Sequence, residues 1–180
     1  MLKTIINAFK VKEIRHKIFM MLLLLLVFRI GCFIPVPGLN RETFGTTIAN
    51  NDFLNLMNSI TGGALSQGTV FALGIGPYIN ASIIMQLLSV GIPALENLSK
   101  QGEEGRKKIA QYTRYVTILL AIIQSVGIVV GFGSSSIQSA LFFGQDWLAA
   151  VFMVVVYTAG AFIVMWLGER ITDYGVGNGQ

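Results

Sequence analysis

Residues 70–90 read VFALGIGPYINASIIMQLLSV, an apolar run of membrane length that carries Gly74, Gly76, Pro77, Asn80 and Gln86 inside it. A plain anchor helix gains nothing from such residues. Gly and Pro weaken a helix, and a buried amide costs free energy unless it is hydrogen-bonded or faces water. A span that keeps them usually lines a cavity or moves against its neighbours. The run therefore reads as part of a conduit or a transporter.

Composition agrees. Hydrophobic residues make up 53% of the 180 and charged ones only 12%, against about 25% charged in soluble domains. The mean hydropathy is +0.67. The fold class implied is an all-α membrane protein, a multi-span helical bundle. A single cysteine, Cys32, excludes an internal disulfide, and with one histidine it leaves no cluster suited to zinc or iron. No cofactor is expected. The excess of cations sits beside the apolar runs, where orientation and anionic lipids explain it better than direct contact with nucleic acid.

Four segments are long enough to cross a bilayer, which needs roughly 20 apolar residues: 18–35, 70–90, 114–132 and 147–168. The first holds Arg29, and the fourth begins and ends near tryptophan. Lys3, Lys10, Lys12, Arg15 and Lys17 precede the first span, and Lys100, Arg106, Lys107 and Lys108 lie between the second and third. By contrast, 36–69 has only Arg41 and 133–146 has no Lys or Arg. The positive-inside rule then places 1–17, the loop 91–113 and the end 169–180 in the cytoplasm, with 36–69 and 133–146 outside. A cleaved signal in residues 1–34 is the competing reading, and Ile30-Gly31-Cys32 hints at a lipoprotein site. Arg29, however, stands where such a site wants an apolar residue, and three more spans follow.

Within 36–69, Phe53, Leu54, Leu56, Met57 and Ile60 have helical spacing, and Gly62-Gly63 stops the run. A short amphipathic helix over about 54–67 is expected, hinged to the second span. Spacing alone does not choose between a folded-in element and an interfacial helix lying on the membrane.

On the second span, Ile79, Ile83 and Gln86 share one face, with Ile75 nearby. Two branched apolar side chains a turn apart can form a constriction that excludes water. The plainer reading is a lipid-facing surface. Gly74, Gly76 and Pro77 favour the former, because close approach and bending are wasted on lipid. Asn80 and Ser82 point to either side and are expected to bond to neighbouring helices. An arginine at membrane depth costs on the order of 2.5–3.5 kcal/mol, so Arg29 should face the interior or snorkel. Pairing with loop carbonyls is preferred over contact with cargo. In the third span Gln124, Gly127 and Gly131 suggest a packing face, as Gly160 does in the fourth. The stretch SKQGEEGRKKIAQYTRY from Ser99 is expected as a loop whose Arg106, Lys107 and Lys108 contact lipid head groups or a cytosolic partner. No catalytic constellation accompanies His16, so an enzyme is not expected.

Five stretches together resemble the SecY family, the channel subunit of the bacterial protein-export translocon. They are FRIGCFIPVPG from Phe28, TGGAL from Thr61, FALGIGPYINASIIMQLL from Phe71, QGEEGRKKIAQYTRY from Gln101 and MWLGERITDYGVGNG from Met165. Asn80 and Gly76 stand where variation is expected, and Cys32 replaces a small residue. The resemblance implies ten spans in two inverted halves around an hourglass pore, of which this chain would hold the first four. Its end at Gln180, just past GNG, is expected to be a truncation. The resemblance further implies a pore ring at Ile79 and Ile83, and a plug carrying Leu54, Met57, Asn58, Ile60, Gly62, Gly63, Leu65 and Ser66. Ile75, Gln86 and Gln124 would lie at a lateral gate or pore face. The implied function is passage of unfolded polypeptides across the bacterial plasma membrane, with sideways release of apolar segments into lipid. SecE, SecG, the SecA motor, the ribosome, signal sequences, unfolded preproteins and anionic lipids are the partners that follow. The alternative is half of a secondary transporter with broken helices, which would want a charged or carbonyl-rich site inside the spans.

Overall fold

The computed structural model describes residues 12–131, 137 and 144–174. Among the described residues seven helices follow in order: α1 Lys12–Gly31, α2 Arg41–Ala49, α3 Asp52–Ile60, α4 Gly76–Gly91, α5 Pro93–Lys100, α6 Glu103–Gly131 and α7 Asp146–Tyr174. Lys3, Lys10, most of the expected loop 133–146 and the GNG motif lie outside the described residues.

The frame is α6 packed on α7. Each has 29 residues, about 43 Å at 1.5 Å per residue, more than the roughly 30 Å of hydrocarbon in a bilayer. α6 buries Thr113, Thr117, Ala121, Ser125 and Val129, one residue every fourth position. The two threonines use their hydroxyls on their own helix: Thr113 Oγ1 donates to the Ile109 carbonyl at 2.9 Å and Thr117 Oγ1 to the Thr113 carbonyl at 2.7 Å. That leaves a narrow, effectively apolar stripe. On α7, Ala149, Met153, Tyr157, Ala161 and Val164 are buried, and Ser125 Oγ meets Thr158 Oγ1 at 3.3 Å across the pair. The packing face expected at Gln124, Gly127 and Gly131 is therefore displaced. A methyl added at Gly127 or Gly131 meets nothing within 4 Å, and Gln124 is half-buried. Four-residue spacing of Thr, Ala and Ser outcompetes the two glycines.

α4 packs on α6 and α5, and α1 on α7. By length and apolarity α6 and α7 each qualify as a membrane span among the described residues; α4 and α5 qualify only as a pair bent by 101°. α1 begins before and ends short of the expected 18–35, and it carries Arg15, Lys17 and Arg29. The second apolar run is helical only from Gly76, not from 70. Residues 70–75 form turns, with Gly74 at φ +56°. Pro77 sits in the first turn of α4, where its missing N–H would have had no partner in any case. Gly and Pro thus mark a helix start rather than a bend within one.

The expected loop 91–113 is mostly helix. Pro93 opens α5, Gly102 at φ +73° makes the turn, and Glu103 and Glu104 occupy the first turn of α6, where carboxylates suit the helix dipole. Gly105 lets α6 approach the Leu98 carbonyl so closely that a Cβ would overlap it.

Residues 32–75 cap one end of the bundle. Asn40 starts α2, its Oδ1 accepting from the N–H groups of Glu42 at 3.1 Å and Thr43 at 3.4 Å, and Asn51 starts α3 by accepting from Leu54 N–H at 3.3 Å. The strand-like stretch after α1 meets the one before α4: Val36 N–H donates to the Gly68 carbonyl at 2.9 Å and Val70 N–H to that of Ile34 at 3.0 Å. Val36, Phe44, Ile48, Leu54, Leu65 and Leu73 form one core with Ala121, Met153, Tyr157 and Ala161. A second cluster gathers Leu24, Cys32, Ala64, Phe71, Val164 and Leu167, in which the Phe28 ring stacks on Phe71 at 5.8 Å. The cap is therefore packed into the long helices.

Candidate functional site

α4 has two unlike faces. It buries Pro77, Ala81 and Met85, which recur every four residues. Opposite Ala81, Ile79, Ile83, Gln86 and Val90 fall within about 60° of one another at 100° per residue. All four are exposed, Ile79 at 38% and Ile83 at 50%. Ile75 does not join this stripe; it is the N-cap of α4 and packs half-buried against the Phe71 cluster. The amides expected to bond to neighbouring helices behave differently. Asn80 is exposed, and Ser82 accepts a 3.5 Å contact from Gln86 Nε2 on its own helix. Among the described residues no hydrogen bond joins Gln86 to Gln124.

The segment expected as a helix over 54–67 is helical only to Ile60. Gly62 at φ +64° and Gly63 at φ +86° then reverse the chain, conformations that a side chain would strain. Asn58 holds the reversal from both ends: its carbonyl accepts from Gly63 N–H at 2.9 Å, and its Oδ1 accepts from Ser66 N–H at 2.9 Å. Ser66 Oγ donates to the Gly63 carbonyl at 3.1 Å. Leu54 and Leu65 are buried in the first core, with Met57 packed against it. Phe53, Leu56 and Ile60 lie exposed along the other side of α3. The segment is thus seated by one face and presents a second apolar face outward.

Arg29, in the last turn of α1, reaches this segment. Its Nη1 lies 3.2 Å from the point where a Cβ on Gly62 would stand. Arg106, Lys107 and Lys108 are exposed on the opening turns of α6, and Lys100 pairs with Glu96 at 2.6 Å on α5.

A polar pairing that the sequence did not reveal lies where α6 and α7 leave the apolar region. Arg114 is bound to Glu169 in a two-point ion pair beside a cavity of about 240 Å³ lined by Trp166, Arg170 and Asp173. The Arg170 guanidinium lies 5.3 Å from the Trp166 ring centre and 5.4 Å from that of Tyr174. The i, i+4 spacing of Trp166, Arg170 and Tyr174 was the available signal for the stack. Pairing over 55 residues had none.

Residues 69–180 match the SecY family. The chain belongs to that family. Over 180 residues it is 43% identical to the protein translocase subunit SecY of Staphylococcus aureus strain NCTC 8325, covering 99% of this chain and 42% of that relative. SecY of Streptomyces galbus is 44% identical over 190 residues, covering 100% of this chain and 44% of the relative. The chain therefore spans about two-fifths of the length of these SecY proteins. A solved SecY structure, described as one in which the plug domain stabilises the closed state of the translocation channel and maintains a membrane seal, aligns with TM-score 0.61 at 27% identity, covering 94% of this chain and 34% of that one. Sec61 in the canine ribosome–channel complex of the endoplasmic reticulum aligns at 0.58 and 25% identity, covering 94% and 35%. The all-helical fold is that of the SecY/Sec61 channels, and membership sets aside half of a secondary transporter as the alternative.

Proposed function

We propose that this chain supplies one wall of a protein-conducting channel that passes unfolded polypeptides across the bacterial plasma membrane and releases apolar segments sideways into lipid. The observation that carries the reading is the two-faced α4. Pro77, Ala81 and Met85 anchor it, while Ile79 and Ile83 stand free on the opposite side of a helix that starts at a Gly-Pro break. In the whole protein Ile79 and Ile83 form part of a narrow apolar ring. Such a ring admits an extended chain but is costly to hydrated ions, which cannot shed water there cheaply.

The segment 54–67 acts as the plug, with Leu54, Met57, Asn58, Ile60, Gly62, Gly63, Leu65 and Ser66 forming its seat, its turn and its outward face. α4 and α6 form one side of the lateral gate, with Ile75, Gln86 and Gln124 near it. The N-terminal segment and Arg106, Lys107 and Lys108 lie in the cytoplasm, where the cations meet anionic lipid or a docking partner. SecE and SecG complete the membrane complex. SecA or the ribosome delivers signal sequences and preproteins and supplies the energy; the chain itself is not an enzyme.

Depletion of the full-length protein tests this reading. Precursors of secreted proteins are expected to accumulate inside the cell and to clear when synthesis is restored. Normal export after complete depletion would refute it.

A further inference from the structure

The turn that ends α3 is gripped on both sides. On one side the Arg29 guanidinium lies over Gly62, with Nη1 at 3.2 Å and Cζ at 3.9 Å from the point a Cβ would take. On the other, the Thr61 methyl lies 3.2 Å from the corresponding point on Gly74. Both glycines are in the left-handed region, at φ +64° and +56°, so the fold keeps these two places open and fills each with a neighbour's side chain. Gly74 immediately precedes Ile75, the N-cap of α4, and that helix start has no side-chain cap hydrogen bond. Packing, not capping, holds it. A line of close approaches thus runs from Arg29 to the Gly62 turn and from the adjoining Thr61 to Gly74, the residue ahead of the N-cap of the helix that bears Ile79 and Ile83.

A charge at the end of α1 could simply complement the carbonyl end of that helix. That role needs no contact with Gly62, and a lysine would serve it equally well. A branched guanidinium that places its Nη1 at the Gly62 side of the turn, with Cζ farther back, is what a lysine cannot reproduce.

We propose that Arg29 is a positioning residue that seats the 54–67 segment: it clamps the Gly62 turn and, through Thr61, fixes the start of α4. The proposal rests on the reading of 54–67 as a plug. Arg29 contributes nothing to the pore ring itself.

The test uses the full-length channel complex in planar bilayers, without motor or substrate, reading the frequency of resting openings. Removal of residues 54–67 checks the plug reading on its own, and a rise in openings is expected. Arg29→Gln is expected to raise the frequency several-fold, Arg29→Lys less so, and Arg29→Gln should add nothing once 54–67 are removed. If the deletion leaks while Arg29→Gln and Arg29→Lys both open at the wild-type rate, the clamp is wrong and the plug stands. If the deletion does not leak, the plug reading fails. If Arg29→Gln adds leak in the deletion background, or if Arg29→Lys behaves as wild type while Arg29→Gln leaks, charge alone is at work and the clamp is overturned. Hydrogen exchange of amides 62–69 in the same complexes supplies a second readout. Arg29→Gln should accelerate it, and unchanged protection in that variant refutes the clamp.

Discussion

Arg114 and Glu169 face each other across α6 and α7 with both donors and both acceptors engaged: Nε to Oε1 at 2.9 Å and Nη2 to Oε2 at 2.8 Å. The side chains are 48% and 17% exposed, so water still screens the pair. A double-mutant cycle of Arg114→Ala and Glu169→Ala, read by unfolding in detergent, should give a coupling of about 0.5–1 kcal/mol that shrinks with added salt. Zero coupling at low salt would mean that the two-point geometry does not set the register of the two long helices.

Two kinds of glycine should respond oppositely to the same change. A Cβ on Gly160 would collide with the Val70 carbonyl, whereas one on Gly127 meets open space. Gly160→Ala should destabilise the chain by about 1–3 kcal/mol as α7 is pushed off the cap. Gly127→Ala should be neutral or stabilise by up to about 1 kcal/mol through helix propensity. Thermal unfolding in detergent compares them directly, and equal shifts would contradict the packing described for α7.

Exposure of the isoleucine stripe on α4 carries a functional expectation. In the full-length complex, Ile79→Gly with Ile83→Gly should raise resting single-channel conductance, because the apolar constriction widens and admits water. Unchanged conductance would place both residues against lipid.

Asn58 offers a local test of the plug turn. Asn58→Ala removes the acceptor of Ser66 N–H, leaving a half-buried donor to find water, at a cost of about 1–3 kcal/mol. Amide exchange at Ser66 should accelerate by about five-fold or more, the factor that 1 kcal/mol implies. In the full-length protein, a cysteine at Ser66 should crosslink to the opposite half in the resting state, less efficiently when Asn58 is Ala. Absence of crosslinks at every tested partner would favour an interfacial segment.

The long helices were the most legible part of the fold, since α7 contains the apolar run at 147–168 and α6 holds the run that begins at 114, as far as Gly131. Helix onsets were less so. The onset of α6 at Glu103 lay hidden in a charged stretch, because exposed cations suit a loop and a helix surface equally. α2 has little apolar periodicity and depends on Asn40 capping its first turn, a local signal that sequence spacing passes over. The packing stripe of α6 escaped because a threonine reads as polar until its hydroxyl is seen bonded to the carbonyl four residues back. The Ile79–Ile83 face was readable from helical geometry. The contacts of Arg29 with Gly62 and of Thr61 with Gly74 were not, since they join residues by tertiary approach and leave no periodic trace.

The elbow between α4 and α5 also restricts how this chain can vary. Each residue inserted into α4 would rotate everything beyond it by about 100° and shift it by 1.5 Å. The isoleucine face would then be out of phase with the 101° bend and with the Gly105–Leu98 approach that locks α5 to α6. Substitutions on the exposed face of this helix leave that phase untouched, whereas its length is held to a fixed count.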